Sequence, residues 1–362
     1  MIGIYVIVFT ALLLFFLFGF WVRWQWNQNF QDRNVLYNSA EISVVIPFRN
    51  ESENLTALIE SITNLKVFPK EIIFVNDHSE DHFEVCFEKL QIPIPFSILH
   101  LKSPQQGKKS ALRLGIDDAQ GSFILTWDAD IFVSPNYFTS LSKVPQSDLL
   151  ILPVSMPGKS FQELFFELDY HYLNALNAGL SGNLNPIVAS GANLLFNKEI
   201  FLEIDSIESH IDTPSGDDAF LLQDFKLNEQ TIELAFKKDL IVETKPPGNW
   251  NDFFQQRLRW IGKSSKVSDR SANIIGILGM IYHLGFWLLL MTDISWNQIA
   301  WLTVFKISLD FLVFLPYLSI LRRKRILFLV PIFSIVYPIY MLMILVTTLF
   351  YEPEWKGRSL SE

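Results

Sequence analysis

The sequence predicts an α/β fold, a mostly parallel sheet with helices on both faces, carried by four membrane-spanning helices. Two patterns point to it. Short β-branched runs alternate with amphipathic stretches from Ile42 to about Gln256, and uninterrupted apolar runs flank that region. Composition agrees: the 362 residues are 50% hydrophobic and 14% aromatic but only 19% charged, against about 25% in an average soluble chain. Lys plus Arg total 29 and Asp plus Glu 38, a net charge of −9, which is the wrong sign for a nucleic-acid partner. Cys86 is the single cysteine, so an intrachain disulfide is excluded. No Cys/His cluster has zinc spacing, so any metal must be held by oxygens.

Taken in order, Ile2 to Val22 is apolar and long enough to cross a bilayer, and Trp21, Trp24 and Trp26 follow at interfacial depth. No Lys or Arg precedes this run and no small-x-small site follows it, so it reads as an anchor rather than a cleaved signal. The runs Ile42–Pro47, Ile72–Asn76, Phe96–Leu101 and Phe123–Trp127 read as strands. Helical periodicity appears over Leu55–Ile62 and Ala111–Ala119. Three further apolar blocks, Ile274–Thr292, Ile299–Leu321 and Ile326–Phe350, can each span. The basic turn Arg322-Arg323-Lys324-Arg325 between the last two belongs on the cytoplasmic side by the positive-inside rule. Counting crossings back from it puts the α/β domain in the cytoplasm and both chain ends outside, as in a multi-pass protein of the plasma (inner) membrane. The expected organisation is a transmembrane anchor at 1–22, a linker at 23–40, the α/β domain at 41–262, three transmembrane helices in 263–350 and a tail at 351–362.

In an open α/β sheet ligands bind beyond the carboxyl ends of the strands, and the polar residues gather there. After the first run stands Pro47-Phe48-Arg49-Asn50-Glu51; Asn50 suits a helix cap with Glu53 as its capping-box partner, which leaves Glu51 to face the crevice. Asp77, after the second run, fits either an Asx turn or a ligand. Gly107-Lys108 opens a helix and suits phosphate, without the spacing of an ATPase loop. Asp128-Ala129-Asp130 closes the fourth run. Two carboxylates this close repel unless a cation intervenes, and a hard ion such as Mg²⁺ or Mn²⁺ suits them, as does a solvated acidic turn. Further on come Gly191-Ala192-Asn193, a second acidic pair after Ser215-Gly216 at Asp217-Asp218, and Gln256-Arg257-Leu258-Arg259-Trp260. The acidic pair also suits a helix dipole, and the last motif suits an interfacial belt. Lys306 and Asp310, four apart in the block Ile299–Leu321, can neutralise each other.

These motifs, in this order over residues 42–262, resemble the family 2 glycosyltransferases of GT-A fold. The resemblance is to the membrane-integrated branch with cellulose, hyaluronan and poly-N-acetylglucosamine synthases and ceramide glucosyltransferase. It implies a nucleotide-diphosphate sugar donor, most often a UDP-sugar, bound by Pro47, Glu51, Asp77, Lys108, Asp128, Gln256, Arg259 and Trp260. A divalent cation, Mg²⁺ or Mn²⁺, would sit on Asp128 and Asp130. Asp218 would be the base and Asp217 its acidic partner, with Gly191 and Asn193 in the acceptor and sugar pocket. The family pair is usually Glu-Asp; Asp217 here has the shorter reach. Membrane spans imply a lipid or lipid-linked glycan acceptor of the cell envelope. The alternative is a processive polysaccharide synthase, for which four spans are few and a partner subunit would have to complete a pore. A silent sugar-nucleotide-binding membrane protein would be expected to lack one of the acidic motifs, and none is missing.

Overall fold

The computed structural model describes residues 1–28, 35–89, 93–204, 207, 210, 216–264, 268–348, 350, 354–355 and 358–359. Residues 29–34 of the expected linker, Ser215 and most of the expected tail lie outside the described residues. The first apolar run is helix α1 (Ile2–Gln28). Each expected strand forms to within a residue at either end: β1 (Ile42–Phe48), α2 (Ser52–Thr63), β2 (Glu71–Asn76), α3 (Glu84–Lys89), β3 (Phe96–His100), α4 (Lys108–Asp118) and β4 (Phe123–Trp127) follow in turn. These strands pair in parallel in the order β3-β2-β1-β4. All of β1 and β4 is buried, which is why they are near-continuous apolar runs rather than alternating ones. Helix α2 buries Leu55, Leu58, Ile59 and Ile62, and α4 buries Ala111, Leu112, Gly115 and Ile116, each at the spacing of a single helical face.

The chain continues through α5 (Tyr137–Leu141), β5 (Leu149–Ile151), β6 (Val154–Ser155), α6 (Phe161–Leu180), β7 (Asn193–Asn197), α7 (Lys198–Ile204), α8 (Asp217–Leu227), β8 (Ile232–Leu234) and β9 (Val242–Glu243). β7 enters antiparallel between β4 and β5, and β8 joins β5 in parallel, giving a seven-stranded sheet in the order β3-β2-β1-β4-β7-β5-β8. The reversal of β7 matters for the site. Asn193, its first residue, pairs with Trp127, the last residue of β4, so the loop before β7 reaches the edge where the parallel strands end.

The chain forms two compact units: Trp26–Pro157 with Ala189–Lys245, which holds the sheet, and Met1–Gln25 with Gly158–Val188 and Pro246–Glu362. The second unit completes the chain with α9 (Trp250–Ser264), α10 (Arg270–Leu290), α11 (Trp296–Ile320) and α12 (Val330–Thr347). Four helices are long and apolar enough to cross a membrane: Ile2–Gln28, Arg270–Leu290, Trp296–Ile320 and Lys324–Thr347. Tyr5 and Phe9 of α1 pack with Tyr282, Phe286 and Leu289 late in α10 and with Leu302 and Leu309 of α11. Early α1 thus meets late α10, the arrangement of helices that alternate in direction. Lys306 and Asp310 form the expected ion pair at 2.9 Å, both buried, with Tyr282 donating to Asp310 Oδ1 at 2.9 Å.

Helix α6 groups with these apolar helices, although the sequence reading placed it inside the α/β domain. Phe165 and Tyr172 pack on Phe333, and Tyr172 packs on Phe314 and Tyr337. Its acids are also engaged: Glu167 takes a bidentate fork from Arg323 of the basic turn, and Asp169 pairs with Arg257.

Candidate active site

The loops after β1 and β2 lock together. Asn50 does not cap α2 as expected. It lies in the left-handed region with φ 51°, its Oδ1 accepts the Glu80 N–H at 2.8 Å, and its own N–H donates to Ser79 Oγ at 3.0 Å. A left-handed residue cannot adopt the extended geometry of an N-cap. The Ser52 N–H is satisfied instead by Asp81 Oδ2 at 2.7 Å. The Asx turn after β2 belongs to Asn76, whose Oδ1 accepts the Ser79 N–H at 2.8 Å. Asp77 is 2% exposed, with its N–H on the Phe48 carbonyl at 2.9 Å. Glu51 accepts from Asn54 Nδ2 at 2.6 Å. Pro47, expected among the nucleotide contacts, is buried within β1 in register with Val75.

Two acidic pairs meet at Lys108. Gly107 (φ 91°) turns the chain into α4, of which Lys108 is the first residue. The ammonium lies 2.6 Å from Asp128 Oδ1 and 3.8 Å from Asp217 Oδ2. Asp217 and Asp218 open α8 behind Gly216, whose φ of 92° favours glycine. From the loop before β7, the Gly191 N–H donates to Asp218 Oδ2 at 3.4 Å. A Cβ on Gly191 would lie 3.0 Å from Asp217 Oδ2 and 3.3 Å from Lys108 Nζ, so glycine is what lets these groups approach. Burial alone would depress the Lys108 ammonium, but Asp128, Asp217 and Asp218 together hold it above its ordinary value.

Asp130 accepts from Thr244 Oγ1 at 2.9 Å. Burial first, then the charges of Asp128 and Glu51, push its carboxyl up to about 6 against the pull of the Thr244 hydrogen bond. Thr244 escaped the sequence reading. It is held there by β9, where Phe132 and Glu243 exchange backbone hydrogen bonds, a pairing with no local sequence signal. Among the described residues no group of three or more His, Cys, Asp or Glu is arranged to hold a metal. Asp128 and Asp130 do fit a hard divalent cation: they are oxygen donors with excess negative charge, and water and phosphate oxygens can complete the shell.

Asn193 is corrected from a pocket residue to a structural one. It is fully buried; its Nδ2 donates to the Pro153 and Leu240 carbonyls at 2.9 Å each, and its Oδ1 accepts from Tyr137. None of it is presented to a ligand.

Gln256, Arg259 and Trp260 lie on α9, in the other compact unit. Burial lowers the Arg259 guanidinium from its ordinary value. Arg257, which the sequence reading passed over, is the buried polar residue of this segment. It pairs with Asp169 and places its guanidinium 4.2 Å from the Trp260 ring centroid and 4.6 Å from that of Phe253.

Residues 43–204 match the profile of glycosyl transferase family 2, so the chain carries a family 2 glycosyltransferase domain. The match holds Glu51, Asp77, Lys108, Asp128, Asp130 and Gly191, and stops short of Asp217 and Asp218. A probable glycosyltransferase of Sulfolobus acidocaldarius is 22% identical over 64% of this chain and 51% of its own length. An undecaprenyl-phosphate 4-deoxy-4-formamido-L-arabinose transferase of Serratia proteamaculans is 34% identical over 29% of this chain and 34% of its own. The chain thus spans about half the length of the first relative and a third of the second. The fold is that of a mannosyltransferase from Pyrobaculum calidifontis solved with GDP-Man and Mn²⁺: TM-score 0.53 and 12% identity over 97% of this chain and 99% of that one.

Proposed function

We propose that this protein is an inverting glycosyltransferase that moves a sugar from a nucleotide-diphosphate sugar to a hydroxyl of a membrane lipid or lipid-linked glycan. The observation that carries the proposal is Lys108, whose ammonium joins Asp128 of one acidic pair to Asp217 of the other. Residues 20 and 109 positions from it in sequence are drawn to one point at the carboxyl edge of the sheet. That is the place for a ligand in such a fold, and the family domain supports the chemistry. Four apolar helices and a Serratia relative named for undecaprenyl phosphate support a membrane acceptor. The basic turn at 322–325 favours a cytoplasmic catalytic unit in the plasma membrane.

In this reading Glu51 and Asp77 hold the nucleoside and Lys108 binds the diphosphate as a point charge. A divalent cation on Asp128 and Asp130 would neutralise charge on the departing diphosphate. Asp218, oriented by the Gly191 N–H, takes the proton of the acceptor hydroxyl as its oxygen attacks the anomeric carbon. The bond to the diphosphate breaks with its electron pair on the nucleotide, and the carbon inverts. Base assistance of this kind is worth about 10²- to 10⁴-fold.

The test is a donor screen on purified protein in lipid, reading nucleotide release and then the mass of the labelled product. Asp218→Asn should abolish transfer and leave UDP or GDP binding intact. Near-normal turnover by that variant would refute the base assignment, and a polymer ladder in place of one labelled glycolipid would favour a processive synthase.

A further inference from the structure

Lys108 stands where two cations would compete. Its Nζ, 2.6 Å from Asp128 Oδ1, already supplies the positive charge this carboxylate needs. A dication taking Asp128 must either displace the ammonium or endure repulsion from it across a shared carboxylate. Asp130 alone, fixed by Thr244, is a poor host for a hard ion, which needs several oxygens around it. A nucleoside diphosphate removes the conflict, because its anionic oxygens offer the ammonium a new partner and also enter the cation's shell. Lys108 has the means to exchange: a flexible four-carbon stem, a side chain 27% exposed, and a second carboxylate, Asp217, at 3.8 Å on its other side.

We propose that Lys108 is an internal counter-ion that makes cation binding conditional on the nucleotide. Without diphosphate the ammonium occupies Asp128; with diphosphate it moves to the phosphate oxygens and releases Asp128 to the cation. Lys108 thus sets the order of binding. The inference rests on the glycosyltransferase reading above, and wild-type nucleotide release in the donor screen tests that reading separately.

The experiment is a Mn²⁺ titration of the full chain in detergent, reading free Mn²⁺ by electron paramagnetic resonance, with and without UDP or GDP, after subtraction of the Mn²⁺ held by the same nucleotide without protein. Wild type should bind Mn²⁺ at least about tenfold more tightly with the nucleotide than without it. Lys108→Met should tighten nucleotide-free Mn²⁺ binding by about 10- to 100-fold, the scale of one charge-assisted hydrogen bond, and narrow the dependence on nucleotide by the same factor, leaving the part that the phosphate oxygens supply to the cation directly. Lys108→Arg should retain that dependence. Equal Mn²⁺ affinity of the wild type with and without nucleotide overturns the proposal whatever the variants do. So does a folded Lys108→Met protein whose nucleotide-free affinity is unchanged or weaker. An active wild type with either result loses only this inference, whereas a wild type that releases nucleotide from no donor loses the function itself.

Discussion

Gly191→Ala tests whether the spacing at the junction is functional. The added Cβ would sit 3.0 Å from Asp217 Oδ2 and 3.3 Å from Lys108 Nζ, whereas carbon contacts are comfortable at about 3.5 Å and beyond. The carboxylate must therefore retreat by about 0.5 Å and the ammonium by about 0.2 Å. Both are ends of side chains, and the Gly191 φ lies outside the left-handed range, so the backbone is not strained. Stability should change by less than about 1 kcal/mol. Catalysis should suffer more: a misplacement of 1 Å can cost about 10²-fold, so half of that predicts a loss of about tenfold in kcat. The assay is nucleotide release under saturating donor, with thermal unfolding of the same preparation in detergent. Turnover within twofold of wild type, at unchanged melting temperature, would refute the claim that the Lys108–Asp217 approach matters. A comparable loss of stability would assign the effect to folding instead.

Four further outcomes are expected. Asn193→Ala should strand the Leu240 carbonyl and the Tyr137 hydroxyl, while the Pro153 carbonyl keeps the Val242 N–H at 3.2 Å, and cost about 2 kcal/mol or more, read by denaturant unfolding; a stable but inactive variant would restore Asn193 to the pocket. Arg257→Met strands the buried Asp169 carboxylate, whose pKa burial raises and Arg257 counters, and should destabilise by about 3–5 kcal/mol. Adding Asp169→Asn should recover most of that, and no recovery would show that the arginine acts elsewhere. Because Asp130 titrates near 6, Mn²⁺ binding in the presence of nucleotide should weaken towards tenfold per pH unit below that value, as protons compete for the carboxylate. The sign for stability is opposite. Between about 3.8 and 6 Asp130 of the folded cation-free protein holds more proton than in the unfolded chain, so its contribution to stability falls as pH rises through this window, opposite to that of His171, whose imidazole burial pushes down to about 3. Thermal unfolding of wild type against Asp130→Asn in chelator from pH 4 to 7 isolates it: wild type should lose stability relative to the variant as Asp130 titrates with rising pH, and a difference independent of pH would refute the shift.

The parallel half of the sheet was legible because β1, β2 and β4 are almost wholly buried and so appear as unbroken apolar runs between polar turns, while the half-buried edge strand β3 still shows as a short apolar run. The second half was not. β5, β8 and β9 are two or three residues long, too short to carry a period, and β7 gives no sign in its residues of running antiparallel. Thr244 was lost with β9. The role of Asn193 was misread because a motif asparagine looks the same whether its amide meets a sugar or two buried carbonyls. Asn50 failed as a cap for a similar reason: the sequence offers the side chain, while φ decides its use. Helix α6 misled because Phe, Tyr and Leu at helical spacing suit a sheet face and a helical bundle equally well.

What the sequence determined by itself was local and periodic: the four apolar helices, the succession of β1 to β4 along the chain, and the identity of nearly every acid now found at the sheet edge. These follow from side-chain hydrophobicity repeated at short range, which a linear reading captures. The tertiary structure alone decided which of those polar residues meet. Lys108 touches Asp128 and Asp217 because an antiparallel β7 brings Gly191 to the end of β4, and because glycine leaves room for an ammonium and a carboxylate to approach. Electrostatic contact falls off over a few ångströms, and no spacing along the chain encodes a distance that short across 109 residues.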